Sequence, residues 1–129
     1  MNKQEKTLLS FKENILTIRF REGATIEAED VIHMYCYGFE QSRAKPFGIL
    51  FDSSARHEFT EDAIVHLNES GYLHQVIAIA YISKDLISKI RLSLLLIFER
   101  PSVTPKIFSN EAEAHEWLKL QVAPALLSR

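Results

Sequence analysis

Phe47-Gly48-Ile49-Leu50-Phe51-Asp52 decides how this sequence folds. Five residues with scarcely a polar atom among their side chains end abruptly in an aspartate. A strand wetted on one face alternates apolar and polar residues; a strand covered on both faces does not. The run therefore predicts a central, parallel strand with helices above and below it. The turn-forming Asp52-Ser53-Ser54 closes it.

Outward from this strand, the same signals repeat. Val76-Ile77-Ala78-Ile79-Ala80-Tyr81-Ile82 is a second buried strand, and Lys106-Ile107-Phe108 a short third one after Pro105. Between them lie helical patterns. Thr60 is placed to cap a helix with Glu61 and Asp62 in its first turn, where acidic groups complement the positive helix end. Ala63, Ile64 and Leu67 form its buried edge. Ser83 caps a third helix that must stop before Pro101. Ser109 or Asn110 opens the last, with Ala114, Trp117, Leu118 and Val122 facing inward as far as Pro124.

Towards the amino end, residues 8–11 and 15–20 flank the turn Lys12-Glu13-Asn14 and read as a hairpin. Its second strand alternates Ile15, Thr17 and Arg19 with Leu16, Ile18 and Phe20, which predicts one wetter face. Gly23-Ala24 should break it. Thr25 is then the expected cap of a first helix, whose apolar stripe is Ala28, Val31, Ile32, Tyr35, Cys36 and Phe39. The order β-β-α-β-α-β-α-β-α specifies an α/β domain with a mixed, mostly parallel five-stranded sheet and about four helices. At 129 residues it is expected to be a single domain over positions 1–129.

The composition narrows the function classes. Hydrophobic residues make up 47% of the chain, enough for a core without a metal or disulfide staple. Cys36 is the only cysteine, so no internal disulfide exists, which fits a cytoplasmic protein. Fifteen basic and 17 acidic residues are scattered, not clustered, which speaks against nucleic-acid binding. The longest apolar run, residues 94–98, is far short of the roughly 20 residues a membrane span needs.

Catalytic patterns are weak. The five histidines form no HxxxH or HExxH pair, and a metal site needs three or four convergent ligands. Cys36, on the apolar stripe, is expected to be a buried, inert thiol. Asp52, Ser53, Ser54 and His57 lack the GxSxG elbow and share one loop, whereas a triad draws on separate segments. The isolated glycines make no phosphate loop. No catalytic residue, cofactor or metal is expected.

Two regions remain as candidates for contact. The loops beyond the carboxyl ends of the strands hold Arg21, Asp52, Ser53, Ser54, Arg56, His57, Ser83 and Lys84, where open α/β sheets place their ligands. The third helix has a core stripe of Leu86, Ile87, Ile90, Leu94, Ile97 and Phe98 when stepped at about 100° per residue. Leu92, Leu95 and Leu96 fall on the other side, beside Asp85, Ser88 and Glu99. Those three leucines predict either a dimer or partner interface or cover by the 99–105 connection or the tail.

Phe47–Asp52, Val76–Ile82 with its Ser83 cap, and above all Lys106-Ile107-Phe108-Ser109-Asn110-Glu111-Ala112-Glu113-Ala114-His115-Glu116-Trp117-Leu118 resemble the SpoIIAA-like branch of the STAS domains. That is the fold of anti-sigma-factor antagonists, remotely related to SEC14-type lipid-binding domains. The resemblance implies a non-enzymatic regulatory or protein-interaction module, with a protein partner or a homodimer. The SEC14 relation implies the alternative of a small apolar-ligand or lipid-binding protein. Regulatory members carry a phosphorylatable serine where the helix after the central strand begins. Here Ser53 and Ser54 precede the helix start at Thr60, and Glu58, Glu61 and Asp62 surround that start. A phosphate would be repelled there, so a phosphoswitch of the family type is not expected.

Overall fold

The computed structural model describes residues 6–67, 75–83 and 105–127. The expected third helix, with Lys84, Leu92, Leu95 and Leu96, lies outside the described residues. Within them the order is β1 (Thr7–Lys12), β2 (Ile15–Phe20), β3 (Ala24–Ile26), α1 (Ala28–Ser42), β4 (Phe47–Asp52), β5 (His57–Phe59), α2 (Glu61–Leu67), β6 (Val76–Ile82), β7 (Lys106–Phe108) and α3 (Glu111–Leu127). Five strands form one sheet in the order β1-β2-β4-β6-β7. Only β1 is antiparallel to its neighbour; β2, β4, β6 and β7 run parallel. This is the mixed, mostly parallel α/β sheet expected from the sequence, with three helices among the described residues.

The hairpin turns on two residues, not three. Lys12 pairs with Ile15, and Glu13 and Asn14 both take positive φ, 54° and 59°. Two left-handed residues in succession match the twist of the flanking strands. The turn is anchored to the neighbouring strand, since the Gly48 N–H donates to the Asn14 carbonyl at 3.0 Å. β2 is not a strand with a wet face. Every residue is buried except Arg19, because β1 covers one edge, β4 the other, and helices lie over both sides.

The sheet has two unlike faces. On one, Leu16, Ile18, Phe20, Phe47, Ile49, Phe51, Ile79 and Tyr81 pack with Val31, Met34 and Tyr35 of α1 and Ala63 and Leu67 of α2. On the other, Ile15, Leu50, Ala78, Ala80 and Ile82 meet Ala114 and Leu118 of α3. At Gly48, Ala78 and Ala80 the second face is small and α3 sits close: a Cβ built on Gly48 would lie 3.2 Å from both Leu118 and Val122. An irregularity after Phe47 makes this division possible. Phe47 pairs with Val76 but Gly48 pairs with Ala78, so Ile77 is skipped and stands 38% exposed. The skipped residue reverses which side later residues of β6 point to.

Three local expectations are corrected. Thr25 does not cap α1, because Ala24–Ile26 pairs in parallel with His57–Phe59 and forms a two-stranded second sheet. Glu27 takes the cap position instead, and its N–H donates to the Asp30 carboxylate at 2.8 Å. Cys36 is exposed, not buried. The buried stripe of α1 is Val31, Met34, Tyr35, Gly38 and Ser42, a spacing of three and four that turns position 36 outward. Finally, α3 does not stop at Pro124 but runs to Leu127. Proline removes one hydrogen bond, to the carbonyl four residues earlier. That residue, Leu120, is 71% exposed, so water can take the donor's place.

Other caps fall where expected. Thr60 Oγ1 accepts the Ala63 N–H at 3.1 Å, and Asn110 Oδ1 accepts the Glu113 N–H at 2.8 Å.

Candidate functional site

The carboxyl ends of β2, β4 and β6 bring their loops together on one edge of the sheet. Arg19 and Asp52 are register partners across the parallel β2–β4 pair, both on the α3 side. Arg19 Nη1 donates to Asp52 Oδ2 at 2.6 Å. The same guanidinium spans the Glu111 carboxylate, Nη1 to Oε1 at 3.0 Å and Nη2 to Oε2 at 2.7 Å. Glu111 stands in the first turn of α3. One arginine therefore joins two strands to the start of a helix, using the planar fork that suits carboxylates.

Asp52 is further engaged. Its Oδ1 accepts the Ser54 N–H at 3.0 Å and the Ser54 hydroxyl at 2.6 Å. Burial alone would raise the Asp52 carboxyl, but the two Ser54 hydrogen bonds and the Arg19 guanidinium outweigh it and hold the group below its ordinary value. Arg19 is pushed the other way: the Glu111 hydrogen bond strengthens its charged form, burial opposes this, and Asp52 adds to the rise.

Backbone bonds fasten the loops. The Ser53 N–H donates to the Ile82 carbonyl at 3.1 Å and the Ser83 N–H to the Phe108 carbonyl at 3.0 Å. The Gly23 N–H reaches the Arg56 carbonyl at 2.7 Å, and the Arg56 N–H reaches Glu22 Oε1 at 3.2 Å. Gly23 has φ 80°, the left-handed turn that lets β2 hand over to β3. Arg21 is exposed, and the Arg56 side chain, in a loose pair with Glu22 at 3.5 Å, is 84% exposed.

His57 belongs to a strand, not a loop, and its ring covers the core. It stacks on Phe20 with centroids 4.2 Å apart and meets Phe59 edge-on at 5.3 Å. Phe20 in turn stacks with Phe51, and Phe51 with Tyr81 at 4.9 Å. His57 Nδ1 lies 2.7 Å from the Ala55 carbonyl oxygen. A carbonyl only accepts, so Nδ1 carries the proton. On the same face the Tyr35 hydroxyl donates to the Leu67 carbonyl at 2.8 Å, and burial raises the phenols of both Tyr35 and Tyr81.

The structure thus gathers Asp52, Ser53, Ser54, Arg56, His57, Arg21 and Ser83 along one edge. It separates them into a charged side, with Asp52 and Ser54, and an aromatic side, with His57. Sequence reasoning missed Arg19 and Glu111, the two residues that organise the charged side. A signal existed: an arginine inside an otherwise buried strand, in step with an aspartate that closes the next. Among the described residues, no group of three or more His, Cys, Asp or Glu side chains could hold a metal ion, and no helix is long and apolar enough to cross a membrane.

Comparison with known proteins bears on the fold. The profile of a family described as a domain of unknown function, DUF7793, matches residues 9–121. No curated protein matches the chain. A crystal structure of an uncharacterized protein from the DUF3478 family with a SpoIIAA-like fold, from Shewanella loihica PV-4, superposes with a TM-score of 0.61 at 16% identity. The alignment covers 92% of this chain and 98% of that one. The SpoIIAA-like fold expected from the order of elements is the fold observed.

Proposed function

We propose that this chain, which belongs to the DUF7793 family, is a non-enzymatic regulatory or interaction module. It binds a protein partner through the loops at the carboxyl ends of its parallel strands, or a second copy of itself through the expected Leu92, Leu95 and Leu96 side of its third helix. One observation supports this reading above others. The polar groups best placed for chemistry, Arg19, Asp52, Ser54 and Glu111, are bonded to one another, while Arg21 and Arg56 stand exposed beside them. Arg19 holds both carboxylates, which leaves Arg21 and Arg56 as the charges open to a partner. A platform whose inner charges are bonded to one another and whose outer charges are exposed suits recognition. The cytoplasm is the compartment that fits, since an exposed Cys36 thiol stays reduced there.

A second reading, binding of a small apolar molecule or lipid, draws on the aromatic row from His57 through Phe20 and Phe51 to Tyr81. Native mass spectrometry of the purified protein tests both. The mass of a dimer, or of a complex with another protein, supports the interaction module. A monomer carrying a few hundred daltons of extracted lipid favours the second reading. A bare monomer at high micromolar concentration counts against the dimer.

A further inference from the structure

We draw no further inference here: the strongest candidate, the buried Ser83 hydroxyl at the carboxyl end of β6, which has no hydrogen-bond partner among the described residues, carries nothing because the segment that follows it lies outside the described residues and nothing within them shows what covers it.

Discussion

Arg19 and Asp52 occupy paired positions on neighbouring parallel strands, and their 2.6 Å contact places a charged pair at the carboxyl ends of two largely buried strands. The Asp52 side chain is 16% exposed, those of Arg19 and Glu111 41% and 45%. The Glu111 arm is therefore screened and worth little on its own. Removing Arg19 leaves Asp52 half-buried with only Ser54 to hold it. Arg19→Met should cost about 1–2 kcal/mol, and Glu111→Gln under about 1 kcal/mol, in urea denaturation. Equal losses would show that Asp52 is not the contact that matters.

The same pair predicts a pH dependence. Asp52 is held below its ordinary value in the folded chain. A lowered acid stabilises the fold fully above its unfolded value, about 3.9, and that stabilisation is lost as pH falls through the folded value. Between pH 6 and pH 2.5, Asp52→Asn should lose stability less steeply than the parent. Parallel curves across that window would remove Asp52 from the acid transition.

Ile49 and Ile79 face each other across β4 and β6, 0% and 4% exposed. Truncating either to alanine should cost about 2–5 kcal/mol, the transfer of the lost carbons plus the cavity. A loss under about 0.5 kcal/mol in denaturant melts would contradict the packing.

Gly38 poses a contest of signs. Alanine in mid-helix gains up to about 1 kcal/mol over glycine. But a Cβ there would lie 2.8 Å from two atoms of the Phe47 ring, itself hemmed in by Phe11 and Phe39. Overpacking costs about 1–3 kcal/mol, so Gly38→Ala should destabilise on balance. Pairing it with Phe47→Leu should recover part of the loss, a coupling that a double-mutant cycle reads directly.

The two loop serines separate on inspection. Ser54 bonds Asp52 through both N–H and hydroxyl, whereas the Ser53 N–H bonds Ile82. Ser53→Asp should leave thermal stability nearly unchanged. Ser54→Asp sets a carboxylate against Asp52 and should cost about 0.5–1.5 kcal/mol. Stoichiometric phosphate on either serine in protein from its native cell would contradict the expectation that no phosphoswitch operates here.

For the proposed dimer, Leu92→Glu with Leu95→Glu should convert dimer to monomer while leaving the core stripe expected from the sequence, Leu86, Ile90, Leu94 and Ile97, unaltered. Burying each leucine against a partner is worth roughly 1.5–3 kcal/mol. Sedimentation and circular dichroism on one sample decide it. An unfolded variant means that this face is internal.

What the sequence revealed and what it hid follow from how each signal is written. Continuous apolar runs mark strands covered on both faces, so β4 and β6 were legible, and so were the caps Thr60 and Asn110. Alternation misled at β2, because Thr17 and Arg19 are polar yet lie beneath α3 and its first turn. Three-residue strands carry too few residues for a period, so β3 and β5 were missed and Thr25 was misplaced. On α1, Met34 and Cys36 are both plausible core residues. The buried stripe Val31, Met34, Tyr35, Gly38 and Ser42 turns Met34 inward and Cys36 outward. At the edge, the candidate loops were found from topology, while Arg19 stayed hidden because its partner Glu111 is 92 residues away.

The unlike faces of the sheet impose opposite rules on sequence drift. Beneath α3, at Gly48, Ala78 and Ala80, a gain in volume pushes the helix away, whereas at these positions little remains to remove. Beneath α1 and α2, where Phe20, Phe47, Phe51 and Tyr81 fill the space, shrinkage is the dangerous direction. A library that randomises one position on each face should therefore return small residues only at Ala80 and large ones only at Phe51. The two regimes alternate residue by residue along β6 after the skipped Ile77, with Ala78 and Ala80 under α3 and Ile79 and Tyr81 under α1 and α2.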